Sequence, residues 1–302
     1  MDSKLYETTD RVFSDKPPII FVHGLCHGKW CWKKYEDFFM LNYYKCHAFD
    51  LHKHGEREFL YEDEKSRNFH FGTEFDDYLD DLDKEVNAVI DKYGAKPVII
   101  GHSMGGAIAQ RYIENEERAN KISDVVLLAS VPKLPIDLSK NNCRLICFKY
   151  VVKMFSKLAP VFLLTVVRWK LFLSKSAFFS GSKPNRINKD ELRTYIKELG
   201  KEPLRVSWRL LRLGGIFNTE PYRGNPRVHV IGSSTDKLFG KKELELTAKF
   251  YGTEAKIFDG MCHDMMLDPR YNESAEEILK FIETNHESND KSTDKLDKII
   301  SV

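Results

Sequence analysis

The most informative segment of the chain is Val98-Ile99-Ile100-Gly101-His102-Ser103-Met104-Gly105-Gly106, followed by the helix-prone residues 107–112. A short β-branched run enters the pattern G-x-S-x-G and a helical segment leaves it, which is typical of a strand-turn-helix junction. Such a junction holds the serine on a strained turn, and a Cβ atom at Gly101 or Gly105 would clash with closely packed backbone. The pattern predicts Ser103 as a nucleophile. Taken alone, the pentapeptide is also compatible with a Gly/Ser-rich loop without chemistry.

The length and charge of the chain indicate how many domains it can form and which classes of partner its composition disfavours. A chain of 302 residues has room for one large α/β domain with an insertion, or for two smaller domains. Lys and Arg (47) nearly balance Asp and Glu (45), so the chain lacks the charge signature of a nucleic-acid-binding protein. Residues 1–7 lack the apolar core of a signal peptide, and no stretch reaches the roughly 18 apolar residues of a membrane span. These features predict a cytoplasmic protein without a nucleic-acid partner.

The cysteines and histidines do not show the spacing of a metal centre. The six cysteines form no C-x-x-C pair, which favours reduced thiols over a disulfide or zinc framework. A strand-end cluster contains residue types that can bind a metal, but no further ligands follow at a recognisable spacing. We therefore predict no metal site. The cluster consists of His47, Asp50, His52 and His54, and the cysteines are Cys26, Cys31, Cys46, Cys143, Cys147 and Cys262.

Apolar runs of strand length alternate with helical patterns along two parts of the chain. This alternation predicts a mostly parallel sheet with right-handed crossovers. The helical stripe over 75–90 has an acidic solvent face and ends before Gly94, a candidate C-cap. We assign 1–131 and 226–284 to this core and 285–302 to a loosely ordered tail. The predicted strands are 19–22, 44–49, 98–100, 122–130, 227–232 and 255–258, with further helices at 32–41, 107–112 and 274–284, and short strands within 4–14.

Residues 132–225 follow a different pattern, with helical periods broken by proline and glycine and no convincing strand. We predict a helical cap inserted into the core. No Asp or Glu occurs between Leu138 and Lys189, whereas Lys149, Lys153 and Lys157 recur every four residues among apolar side chains. A helix with that stripe can lie on an anionic membrane surface. Alternatively, the apolar residues pack the cap onto the core and the lysines are simply solvated.

Two further polar residues follow strand patterns after the insertion. Asp236 comes after the run 227–232, and His263 comes after the run 255–258. The chain order Ser103, Asp236, His263 at successive strand ends resembles the α/β-hydrolase superfamily. We prefer Asp236 over Asp137 as the acid because of its strand-end position.

The flanking sequence extends this resemblance over residues 18–131 and 226–284. The stretch 22–24 with 27–32 is similar to plant-type methylesterases and hydroxynitrile lyases, and 101–106 is similar to lysophospholipase-like and monoglyceride-lipase-like hydrolases. Cys262 departs from the glycine that is common before the histidine. Asp264 and Asp268 flank the histidine, and we expect both to be structural.

The resemblance implies an α/β-hydrolase fold and a serine esterase or lipase that needs no cofactor. His263 would act as general base and Asp236 would orient its ring. The backbone N–H groups of Leu25, after the His23-Gly24 turn, and of Met104 would form the oxyanion hole. A plain turn with a satisfied histidine remains the alternative for His23 and Gly24.

A small-molecule or lipid ester is the expected substrate. Non-hydrolytic use of the same site, by a hydroxynitrile-lyase-like enzyme or a ligand receptor, is the alternative function. Residues 264–268 contain no lysine, which disfavours the lyase because the plant-type enzymes rely on one close after the histidine.

Overall fold

The computed structural model describes residues 16–58, 73–133, 177–180, 187–200, 202, 206, 210, 222 and 224–284. The predicted strands within 4–14, Asp137, the lysine stripe of 149–157, Cys143, Cys147 and the tail 285–302 lie outside the described residues. The proposed boundaries of core, cap and tail stay predictions.

Six described strands form one parallel sheet in the order β2-β1-β3-β4-β5-β6. Strands β1, β3 and β4 are buried along their whole length, because helices cover both faces of the sheet. This double burial explains why these strands appear as continuous apolar runs in the sequence. The strands are β1 Ile19–Val22, β2 Cys46–Ala48, β3 Val98–His102, β4 Asp124–Leu128, β5 Arg227–Ser233 and β6 Ala255–Phe258.

Helices fill the connections between the described strands. Helix α2 carries strong local end signals, since Asp77 Oδ2 accepts the N–H of Glu74 at 2.8 Å, and Gly94 ends the helix with φ 66°. The helices are α1 Lys33–Leu41, α2 Phe75–Tyr93, α3 Met104–Tyr112, α4 Glu116–Ala119, α5 Lys189–Glu198, α6 Lys241–Phe250 and α7 271–284. A 3-10 turn, Lys29–Trp32, precedes α1, so the predicted helix over 32–41 begins irregularly.

Alternate residues of β1 enter two different cores. Ile20 and Val22 pack with the apolar faces of α2 and α3, whereas Ile19 and Phe21 pack with α1 and α7 on the opposite side of the sheet. The predicted fold class, a parallel sheet flanked by helices, is confirmed. Because all six strands run parallel, their carboxyl ends meet at one edge, where polar loops can converge.

Some described residues of the predicted insertion, 132–225, lie in or against the core. Phe178 and Leu199 are buried in the same apolar cluster as α2 and α3, and Glu191 of α5 pairs with Lys34 of α1 at 2.8 Å. Among the described helices, none combines the length and apolar composition required to cross a membrane. The four described cysteines form no disulfide with one another, and burial raises the pKa of Cys31 and Cys262 well above the usual range. These two thiols therefore stay protonated at neutral pH.

Candidate active site

Ser103 lies between β3 and α3 in a conformation that non-glycine residues rarely adopt, with φ 51° and ψ −113°. A Cβ atom at Gly101 would lie 2.5 Å from the carbonyl oxygen of Gly105, and one at Gly105 would lie 2.1 Å from that of Val22. This is the clash expected from the motif. The Ser103 N–H donates to the carbonyl of Leu128 at 3.1 Å, which ties the strained turn to β4.

The two backbone donors proposed from the sequence lie at the start of α3 and in the loop after β1. The Gly24 carbonyl accepts the Nδ1–H of His23 at 2.9 Å and the N–H of His27 at 3.3 Å. In a trans peptide the C=O and N–H point in opposite directions, so the Leu25 N–H faces away from these two donors. Within the described residues, the N–H groups of Leu25 and Met104 donate to no other group.

Asp236 and His263 are in direct contact beyond the carboxyl ends of β5 and β6. Asp236 Oδ2 lies 2.7 Å from His263 Nδ1, and both side chains are fully buried. The other carboxylate oxygen, Oδ1, accepts the N–H groups of Leu238 at 2.7 Å and Phe239 at 3.3 Å. Since a carboxylate accepts, Nδ1 carries the proton, and Nε2 is the nitrogen that can take a proton from a substrate or nucleophile.

The histidine loop lies beside the serine turn. The ring of His102, the residue before Ser103, is centred 4.8 Å from the ring of His263. Its Nε2–H donates to the His263 carbonyl at 3.1 Å, and burial together with the nearby His263 lowers the pKa of His102 well below the usual range. Phe178 stacks on the His263 ring at 6.0 Å, and Phe239 contacts it edge-on at 5.6 Å. This apolar enclosure strengthens electrostatic interactions within the site.

The two aspartates that flank His263 in sequence do not hydrogen-bond to its ring. Asp264 Oδ2 lies 3.0 Å from His27 Nε2 in the loop after β1. Asp268 accepts the N–H of Cys262 at 2.9 Å and that of Arg270 at 2.9 Å. Asp264 thus contacts a side chain of the loop after β1 and Asp268 accepts two backbone N–H groups, and the structural role expected for both stays a prediction.

The residues of the strand-end cluster point to separate partners. His47 Nε2 lies 3.0 Å from the Tyr93 hydroxyl, and Asp50 Oδ1 accepts the N–H of Lys29 at 2.7 Å. His54 Nε2 contacts Glu202 at 2.9 Å.

A different set of metal-ligand atoms does converge within the described residues, on His102, His263 and Asp264, all within 4.8 Å of one another. All three side chains already have partners, because His102 donates to a carbonyl, Asp264 contacts His27 and His263 contacts Asp236.

Glu202 is a polar residue at this edge that sequence reasoning missed. Its carboxylate accepts the N–H of Cys26 at 2.9 Å, across 176 residues of sequence. Since Glu202 lies in a segment without a recognisable motif, no local pattern indicated the contact.

The sequence pattern described as the alpha/beta hydrolase family matches residues 19–271 of this chain. The chain belongs to the alpha/beta hydrolase family. Within that family it is 30% identical to Methylesterase 9 of Arabidopsis thaliana over 113 residues, which are 37% of this chain and 39% of that protein. It is 31% identical to a non-heme chloroperoxidase of Burkholderia pyrrocinia over 128 residues, 42% of each chain. The alignments thus span about two-fifths of these relatives.

A thermophilic esterase from Thermogutta terrifontis, solved with malate bound, is similar in fold to this alpha/beta hydrolase. The TM-score is 0.63 at 15% identity, with 89% of this chain and 90% of the esterase covered. The family is shown by the match over residues 19–271, whereas the alignment with the methylesterase covers 39% of that protein.

Proposed function

We propose that this alpha/beta hydrolase cleaves carboxylic esters through an acyl-enzyme formed on Ser103. The observation that carries the proposal is the buried contact of 2.7 Å between Asp236 and His263, beside a serine turn with φ 51°. A hydrogen-bonded carboxylate that selects one histidine tautomer is the arrangement a general base requires. His263 is the proposed base and Asp236 its orienting acid.

In the proposed reaction, Ser103 Oγ attacks the ester carbonyl carbon while His263 Nε2 takes the serine proton. The negative charge that develops on the carbonyl oxygen is stabilised by the N–H groups of Leu25 and Met104, each worth roughly 3 kcal/mol in the transition state. The same proton then passes to the departing alcohol. A water molecule, activated by His263, finally hydrolyses the acyl-enzyme and regenerates Ser103.

For the substrate we propose a lipid-like ester, of the monoacylglycerol or lysophospholipid kind. Phe178 and Phe239 give the surroundings of His263 an apolar character suited to an acyl chain. The segment 138–189 is basic and apolar in composition and would allow the cap to contact an anionic membrane from the cytoplasm. If the cap only packs on the core, the substrate class reduces to small-molecule esters.

The decisive experiment compares wild type with Ser103→Ala on a p-nitrophenyl ester and on a fluorophosphonate probe. We expect wild type to turn over the ester and to be labelled, and the variant to lose both with its circular dichroism spectrum unchanged, because only the nucleophile is removed. Full turnover in the variant contradicts the proposal. Absence of both turnover and labelling in wild type favours the receptor alternative, whereas cyanohydrin cleavage without ester hydrolysis favours the lyase.

The substrate class is tested with p-nitrophenyl esters from acetate to palmitate, with and without anionic vesicles. Higher kcat/KM on the longer chains, together with co-sedimentation of the protein with the vesicles, is the expected result. Best activity on acetate without vesicle binding would leave a small-molecule carboxylesterase.

A further inference from the structure

Three elements of the core converge on the carboxylate of Glu202, which is 1% exposed. Oε2 accepts the N–H of Cys26 at 2.9 Å and lies 2.9 Å from His54 Nε2, and Oε1 accepts the Tyr78 hydroxyl at 3.1 Å. The N–H of Gly200 donates to the Cys26 carbonyl at 2.8 Å. The backbone of Cys26 is therefore held on both sides by Gly200 and Glu202, which lie within the predicted insertion 132–225.

The hydrogen-bond partners of His54 indicate how its ring is protonated. His54 Nδ1 lies 3.0 Å from the His52 carbonyl, which can only accept, so Nδ1 carries a proton. Nε2 faces an oxygen of Glu202 that already accepts the Cys26 N–H. Burial lowers the pKa of His54, but the charge and hydrogen bond of Glu202 outweigh burial, and the net pKa is raised. Glu202 thus favours the charged form of the buried His54 ring.

The loop that Glu202 holds is the one that contains the proposed oxyanion donor, Leu25. Cys26 has φ 63°, a left-handed conformation that a non-glycine residue rarely adopts without tertiary contacts. The preceding carbonyl, of Leu25, lies 2.6 Å from His27 Nδ1. The Leu25–Cys26 peptide is thus held at its carbonyl by His27 and at its N–H by Glu202.

His23 connects the same cluster to the neighbouring peptide. Its Nε2 accepts the N–H of Leu51 at 3.1 Å, so its Nδ1–H is free to donate to the Gly24 carbonyl. Its ring packs against that of His54 at 5.0 Å. Burial and the charge of His54 lower the pKa of His23 well below the usual range, which keeps this ring neutral. Both peptides flanking Leu25 are therefore oriented by buried side chains.

We propose that Glu202 is a positioning residue that holds the Leu25 N–H in the geometry of an oxyanion donor, through its hydrogen bond to the Cys26 N–H. This inference rests on the proposed ester hydrolysis. It makes the inserted segment part of the catalytic framework, because the carboxylate that orients the loop after β1 comes from residue 202.

The test uses variants that separate the loop contact from the stability of the cluster. Glu202→Ala would leave the buried His54 ring without its partner. The main comparison is therefore between wild type and the double variant Glu202→Leu/His54→Leu, which removes both ionisable groups. Glu202→Gln is the conservative variant, since its amide oxygen can still accept the Cys26 N–H. Tyr78→Phe is the matched control, because it removes a hydrogen bond from the same carboxylate without affecting the loop.

For the double variant we expect kcat, counted per fluorophosphonate-titrated serine, to fall about 10- to 100-fold with KM little changed. We also expect the ratio of ester to thionoester turnover to be smaller in the double variant than in wild type. The reason is that the thionoester sulfur is a weak hydrogen-bond acceptor and is stabilised little by an oxyanion hole. Glu202→Gln should retain most of the wild-type kcat and Tyr78→Phe nearly all of it. Wild-type kcat in the folded double variant, or an equal fall for ester and thionoester, would overturn the proposal.

Hydrogen exchange measured by mass spectrometry gives a readout that does not depend on turnover. Residues 24–28 should exchange about tenfold faster in the double variant than in wild type or Tyr78→Phe, because the Cys26 N–H loses its acceptor. Unchanged exchange there overturns the anchoring role even if wild type hydrolyses no ester. If the double variant exchanges faster but wild type hydrolyses no ester, the anchoring role of Glu202 is supported and only the proposed function is contradicted.

Discussion

Helices α2 and α3 pack on the same face of the sheet, but they depend on different kinds of information. Helix α2 has an apolar stripe, an acidic first turn and a glycine C-cap, all of which are local signals. Helix α3 follows a strained serine and fits against β1 only because Gly105 has no side chain. The comparison shows that local signals stabilise α2, whereas the start of α3 depends on tertiary contacts that also place the candidate nucleophile.

The largest expected effect concerns the tertiary contacts around this serine turn. Asp236→Asn should lower kcat by about 10⁴-fold while the melting temperature changes little, because the amide favours the wrong histidine tautomer. Steady-state kinetics and calorimetry check both quantities. Asp137→Asn serves as the control, and a large fall in kcat for that variant alone would identify Asp137 as the acid.

A pair of glycine substitutions compares the two helices directly. Gly105→Ala should destabilise the fold by more than about 4 kcal/mol, since its Cβ would meet the Val22 carbonyl oxygen at 2.1 Å. Gly94→Ala should cost only about 1 kcal/mol, because φ is 66° but no atom lies within 4 Å. Urea denaturation measures both free energies of unfolding. Similar values for the two variants would mean that the strand-helix junction tolerates displacement.

The buried pair beneath α2 predicts a pH dependence of stability. The pKa of His54 is raised in the folded protein. The contribution of His54 to the free energy of unfolding is therefore fully present below the unfolded pKa of about 6.5, and it is lost as the pH rises through the pKa of the folded state. The free energy of unfolding should therefore fall from pH 6 to pH 9 more steeply in wild type than in Glu202→Leu/His54→Leu. If the free energy of unfolding depends on pH in the same way in both proteins, His54 is not the cause of that dependence.

The smallest expected effect lies at the start of α2. Asp77→Ala removes the carboxylate that accepts the Glu74 N–H and that complements the helix dipole, and it should cost about 1 kcal/mol. Urea denaturation should show this loss while kcat stays at the wild-type value. A fall in kcat would show that α2 and the site are coupled, and the contrast between the two helices would then be weaker than we infer.

Most of the fold could be predicted because its signals are local and periodic. The runs at 19–22, 98–100 and 255–258 are strands at those positions, and the helix predicted over 75–90 continues to Tyr93, where Gly94 ends it. Predictions were less accurate where burial is partial. The strand expected over 44–49 is limited to Cys46–Ala48, whose residues are all half-buried, and α7 begins at 271 instead of 274.

The parallel α/β core, the turn at Ser103 and the proximity of Asp236 and His263 could be predicted from the sequence, because strand ends in a parallel sheet converge on one edge. The contact of Asp264 with His27 and that of Glu202 with Cys26 are visible only in the folded protein. These contacts join residues 237 and 176 positions apart, and a buried polar group selects its partner by geometry and desolvation, which leave no periodic trace in the chain.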